Sequence, residues 1–277
     1  MFISLGSASD GRRAPPASRR RRAPAGFTLV ELLVVIGIIT VLLAIAYPSF
    51  SAVRNSARVT ACLSNLRGIQ QAAVVYATDS RGALVDVGLP HGGLGVIEQS
   101  FLTTLVPYCD DALVFRSPLD GSRHWPLSAG GDGTPVPGGG NTFRQTSYGM
   151  NNFLSRNYSP AAAIDPALAT DRLSRVPSPA STVMFLMMAE SGEFAGSDHP
   201  HVEEWFGGDG DFAVIQAASQ LSIAAAGGPL KSFDSRANWG FVDGHVGTSP
   251  FSNLFLDSER NRFDPAVAGL FRARTGG

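Results

Sequence analysis

Residues 28–47 read TLVELLVVIGIITVLLAIAY, an apolar run whose one charge is Glu31. As an α-helix this run would be about 30 Å long, the thickness of a bilayer's hydrocarbon core. Each large aliphatic side chain that leaves water contributes about 1.5–3 kcal/mol, so insertion is strongly favoured. Beyond Pro48 the pattern changes. Val53, Ala57, Leu63, Leu66, Ile69, Ala73 and Ala77 recur at steps of three and four, with Arg54, Arg58 and Arg67 among them. That spacing predicts an amphipathic helix laid against a core. Pro48 fits as a kink or as the start of a second helical segment. Ser80-Arg81-Gly82 supplies the stop. A sustained a/d heptad is absent, which argues against a coiled coil.

Residues 83–277 are rich in loops. The stretch 130–140, GGDGTPVPGGG, has no periodicity and predicts a turn-rich insert. Short strands are predicted at 112–115, 183–188 and 211–215. In 238–246, NWGFVDGHV, the Asp243-Gly244 pair between apolar runs predicts a hairpin with a two-residue type I′ turn. No fixed-period repeat marks a solenoid or propeller. These elements predict an α+β fold, a long N-terminal helix packed on a mostly antiparallel sheet with irregular insertions. The predicted division is 1–26 leader, 27–48 transmembrane, 49–82 amphipathic helix and 83–277 globular head.

Composition sharpens the division. Of 277 residues 44% are hydrophobic and 16% charged, which supports a packed core. A net charge of −1 gives no reason to expect nucleic acid as a partner. Residues 1–26, however, hold Arg12, Arg13 and the run Arg19 to Arg22 against the single acid Asp10. The positive-inside rule keeps that run in the cytoplasm and sends the head across the membrane, to the periplasm in a Gram-negative-type cell. An ordinary signal peptide is the competing reading, with Ala44-Ile45-Ala46 as a small-residue cleavage site before Tyr47. The apolar run exceeds the usual length for one, and a signal core has no use for Glu31. An acid at the centre of a membrane helix costs about 2.5–3.5 kcal/mol, less near its end, so Glu31 calls for a partner charge.

Gly26-Phe27-Thr28-Leu29-Val30-Glu31-Leu32-Leu33-Val34-Val35-Ile36 resembles the N-terminus of type IV prepilins and type II secretion pseudopilins. The resemblance implies cleavage between Gly26 and Phe27 by prepilin peptidase and methylation of the new N-terminal Phe27. It gives Glu31 the role of pairing with a neighbouring subunit's N-terminal amine during filament assembly. Pro48 also stands where pilin helices commonly carry a proline. The implied fold is pilin-like, in the inner membrane with a single pass, and the implied partners are the peptidase and other pilins or pseudopilins.

The head resembles a pseudopilin-like family named for a histidine ten positions before an Asp-Gly pair. The pieces, in order, are residues 62–67, 147–151, 181–190 and 238–246. Phe233 stands where that histidine belongs, so its role is not carried over. The family usually has Cys-Pro where this chain has Ser117-Pro118, and the resemblance offers Cys109 in its place as the partner of Cys62.

The stretch containing Glu190, Asp198, His199, His201, Glu203, Glu204, Asp209 and Asp211 combines acids and histidines with glycines. Oxygen ligands on such a loop suit calcium, and major pseudopilins carry a calcium site in a late loop. Glu190, Asp198, Asp209 and Asp211 are the candidate ligands, against the commoner alternative of a solvated polar loop. Zinc through His199 and His201 lacks a third ligand. No hydrolase elbow, zinc-protease helix, P-loop or dinucleotide fingerprint occurs. His245 and Asp243 are explained by turn chemistry, and Tyr148, Trp205 and Trp239 by a core. No enzyme, cofactor or small-molecule substrate is expected. The sequence reads as a structural filament subunit, with a membrane-anchored periplasmic binding protein sharing only the export signal as the alternative.

Overall fold

The computed structural model describes residues 26–93, 95–108, 115–207 and 210–272. The chain divides into two compact units, Met1–Ser51 and Ala52–Gly277, and helix α1 (Leu29–Asp79) contributes to both. Pro48 lies inside the bounds of α1.

In the first unit α1 is apolar all round. Every large hydrophobic side chain from Leu29 to Tyr47 is exposed, and the helix is long and apolar enough to cross a membrane.

In the second unit the buried positions of α1 are Cys62, Leu66, Ile69, Gln70, Ala72, Ala73 and Ala77, one stripe at helical spacing. Leu63 is half-buried beside it. Val53 and Ala57, expected on the same stripe, are exposed, so the packed face begins only near Val59. The helix ends as expected. Arg81 and Gly82 take left-handed backbone, φ 56° and 82°, and the Gly82 N–H donates to Ala77 O at 2.7 Å. This closes the last turn in a Schellman-type bond.

The stripe lies on one face of a four-stranded antiparallel sheet in the order β1 (Tyr148–Met150), β2 (Val183–Met187), β3 (Arg236–Phe241), β4 (Val246–Pro250). Strand side chains alternate between faces. Along β3, Ala237, Trp239 and Phe241 enter the core away from α1. Asn238 and Gly240 point toward the helix. The Asn238 amide donates to Val59 O at 3.0 Å. At Gly240 a Cβ would sit 2.7 Å from Gln70 Oε1, so glycine is what lets the helix approach. In β2 the register against β3 shifts between Val183 and Phe185. This bulge sends the consecutive Met184 and Phe185 to the α1 side.

The far face is covered by helix α4 (Gly210–Gln220), through Ala213, Val214 and Ala217, and by aromatic rings. Trp205 meets Phe251, Phe255 and Phe263 edge-on, at 6.0, 5.6 and 5.2 Å between centroids. Two short helices, α2 (Phe101–Thr104) and α3 (Pro160–Ile164), lie in the connections.

Two expectations are corrected. Residues 211–215 are helical, part of α4, and Asp211 occupies its first turn. The short apolar run is buried as Ala213, Val214 and Ala217, a helical spacing set by packing on the sheet. The β3–β4 turn is a three-residue loop of Val242, Asp243 and Gly244. Phe241 N–H donates to His245 O and Gly244 N–H to Phe241 O, both at 2.9 Å. Only Gly244 has positive φ, at 98°. This is a turn followed by a glycine bulge. The extra residue is Val242, which is buried on the α1 side and donates its N–H to Thr182 O at 3.0 Å. Residues 183–188 contain β2 as expected, while residues 112–114 of the other predicted strand lie outside the described residues.

The irregular segment 115–147 is pinned by a buried ion pair. Arg144 Nε donates to Asp120 Oδ2 at 2.8 Å, both side chains being fully buried. Arg144 also donates to the carbonyls of Met188, Ala189 and Ala195 at 3.2, 2.6 and 2.5 Å. Asp120 accepts from Ser147 Oγ at 2.6 Å and from Ser122 N–H at 2.8 Å. Such charge-assisted bonds are the strong class.

The α1–sheet contact makes a contrasting pair of predictions. Leu66→Ala should cost about 3 kcal/mol, as in other buried truncations. Gln70 is buried with its Oε1 unpartnered, so Gln70→Met should be neutral or stabilising by up to about 1 kcal/mol. Denaturant unfolding followed by tryptophan fluorescence checks both. A loss from Gln70→Met as large as that from Leu66→Ala would contradict this account of the interface.

Candidate processing and assembly site

Gly26, Phe27 and Thr28 precede the helix in irregular, exposed backbone. A Cβ built on Gly26 meets nothing within 4 Å, and the Phe27 side chain is 76% exposed. The Gly26–Phe27 peptide bond therefore lies in exposed, irregular backbone.

Thr28 caps the helix. Its N–H donates to Glu31 Oε2 at 2.9 Å and its hydroxyl to the same oxygen at 2.8 Å, while the Glu31 N–H approaches Thr28 Oγ1 at 3.2 Å. The Leu32 N–H closes the first turn on Thr28 O at 3.2 Å. Thr-x-x-Glu is the reciprocal capping box, which satisfies donors that a helix start otherwise leaves bare. A carboxylate in the first turn also lies at the positive end of the helix dipole. Glu31 was expected to need a partner charge, and here its own chain supplies it with donors.

Thr40, a polar side chain within the run, donates to Ile36 O at 2.7 Å. Thr28, Glu31 and Thr40 are thus all satisfied within the helix, as a hydrocarbon surrounding demands.

Residues 21–47 match the prokaryotic N-terminal methylation motif. This is a prepilin-type export signal. The match begins in the arginine run and ends at Tyr47, so it covers the Gly26–Phe27 bond, the capping box and the apolar run. No curated protein and no solved structure matches the chain.

The remaining predicted site residues that the structure describes are dispersed. Asp198 is fully buried and accepts from the Gly88 N–H, Ser100 Oγ and His199 Nδ1. Glu190 is half-buried near Gly121, and burial raises its carboxyl above the ordinary range. Asp211 is exposed at the start of α4, and Asp209 lies outside the described residues. Among the described residues no three His, Cys, Asp or Glu side chains are grouped to hold a metal ion. Cys62 is buried and unbridged, its sulfur 3.5 Å from Met187 Sδ, and its suggested partner Cys109 lies outside the described residues. Asp243 accepts from the His245 N–H at 3.2 Å, and the His245 ring stacks on Phe241 at 4.2 Å. Phe233, in the place of the family histidine, stacks on Phe251 at 6.1 Å. Tyr148, Trp205 and Trp239 are core residues.

Sequence reasoning missed the capping role of Thr28, although Thr-x-x-Glu before an apolar run signals it. It also missed the Asp120–Arg144 pair, for which no local signal exists.

Thr28→Ala should cost the first turn about 1 kcal/mol. Hydrogen exchange in detergent micelles would show the amides of residues 29–32 exchanging several-fold faster, with Thr28→Ser restoring protection. Unchanged exchange in Thr28→Ala would mean that the cap carries no weight.

Proposed function

We propose that this chain is a structural subunit of a type II secretion pseudopilus or a related type IV pilus-like filament. Prepilin peptidase removes residues 1–26, and Phe27 becomes the methylated N-terminus. The arginine run stays in the cytoplasm, α1 crosses the inner membrane once, and the head faces the periplasm. The supporting observation is the methylation-motif match at 21–47 on a helix whose apolar sleeve is exposed all round. Such a surface needs lipid or neighbouring helices to cover it. A filament of like subunits supplies the helices once the subunit leaves the bilayer.

Glu31 is the assembly residue in this reading. The capping box holds its carboxylate beside Thr28, next to the amine that cleavage creates at Phe27. A neighbour's amine brought to the same place would add a charge-assisted bond. The head is read as a divergent relative of the pseudopilin-like family whose Asp-Gly hairpin it shares. The structural role requires no catalytic step of the head.

Mass spectrometry of the mature protein should find methylated Phe27 at the N-terminus. An intact leader, or a start at Tyr47, would sink the proposal. Glu31→Ala should leave cleavage and membrane insertion intact while sharply reducing recovery of sheared filaments. Normal filament yield from that variant would remove Glu31 from assembly.

A further inference from the structure

Three of the chain's five histidines gather at one place in the head. His91, in the 3-10 turn His91–Gly93, lies against Phe194 at 4.2 Å between ring centroids and edge-on to His201 at 4.9 Å. His201 faces His199 at 5.3 Å, and His199 packs on Tyr158 at 4.2 Å. These rings join the segment 86–93 to the rest of the head.

Hydrogen bonds to the residues around Asp198 converge on the same joint. One oxygen of Asp198 accepts from the Gly88 N–H at 2.8 Å and from Ser100 Oγ at 2.6 Å, and the other meets His199 Nδ1 at 2.9 Å. Leu89 O accepts from the Asp198 N–H and Ser197 Oγ, each at 3.1 Å. At Gly93 a Cβ would lie 3.1 Å from Gly196 O. The segment is docked without spare room.

We propose that this histidine cluster is a proton-sensitive clasp, holding residues 86–93 on the head most firmly in a narrow pH window and loosening on either side. The two accessible rings meet different surroundings. His201 Nδ1 faces Glu203 Oε1 at 3.3 Å, with Glu204 further along the same 3-10 turn (Val202–Phe206). A proton on His201 therefore gains a partner. His91 faces the Phe194 ring and His201 itself, with Glu193 and Glu204 as more distant acids. A proton on His91 meets a like charge at ring contact. Of the other acids here, Asp86 is bound by Ser155 and Asn157 and faces Asp198.

The titrations follow this geometry. The hydrogen bond to Glu203 raises His201 above the ordinary histidine value. Burial, then the charges of His201 and His199, lower His91. A base with a raised pKa stabilises the docked state below about pH 6.5 and loses that contribution as pH rises through its docked-state pKa. A base with a lowered pKa does the reverse, and the docked state is weakened as pH falls below about 6.5. Together they put the tightest docking near pH 6.5, where His201 holds its proton and His91 does not.

Hydrogen exchange of the full-length chain in detergent micelles, corrected for intrinsic rates between pH 5.5 and 8, tests this. Protection of residues 86–93 should peak near pH 6.5 and fall several-fold on both sides, while peptides from β2 and β3 stay level. His91→Gln should flatten the acid side. His201→Gln and Glu203→Gln should each flatten the alkaline side. A flat wild-type profile, or one that only follows β2 and β3, would overturn the clasp without any variant having to fold. Survival of both limbs in folded His91→Gln and His201→Gln chains would overturn it as well.

Discussion

The head is organised around the approach of α1 to the sheet at Gly240. A helix and a sheet pack through side chains, and any Cβ at that position would meet Gln70. With the position empty, Leu66, Ile69 and Ala73 reach the α1-facing residues of β1 and β2, and the Asn238 amide reaches a helix carbonyl. The β2 bulge turns two consecutive residues toward the same interface. With that side of the sheet closed, β3 is free to turn Ala237, Trp239 and Phe241 into the opposite core. The aromatic layer and α4 then cover what would otherwise be an exposed apolar face.

The apolar part of α1, long enough to cross a membrane, meets a different constraint. Hydrocarbon offers no hydrogen bonds, so each polar group there must be satisfied by the helix itself. Thr40 uses the carbonyl one turn back, and Thr28 and Glu31 satisfy each other. The same few residues thus solve a solvation problem and fall within the match to the methylation motif. Glu31 keeps donors of its own within the first turn, so its carboxylate is not a stranded charge.

What was legible in the sequence was local. The apolar run, the helix stop at Arg81 and Gly82, strand β2 and the presence of a turn at Asp243 and Gly244 all depend on nearby residues, and each was visible. So was the prepilin signal, because its residues are consecutive. Residues 211–215 were misread because five residues cannot separate a strand from a helical turn; packing of Ala213, Val214 and Ala217 decided it. The hairpin loop gained a residue because Val242 is buried in the core, a fact set by Thr182 and α1. Val53 and Ala57 continue the helical period although no sheet lies against them. The histidine joint draws His91 and His201 from positions more than a hundred residues apart, and no local pattern announces such a meeting.

The Asp120–Arg144 pair has a consequence for how the head comes apart. One guanidinium holds three carbonyls from the stretch following β2, and its counter-ion is held by Ser122 and Ser147. Peeling any one of these strips of chain away would leave a full charge buried without its partners, which costs several kcal/mol. Partial fraying is therefore the expensive route. Residues 117–147 and the stretch from Met188 to Ala195 should detach in concert, as one cooperative block, so that a region with almost no regular secondary structure unfolds with the sharpness of a helix bundle.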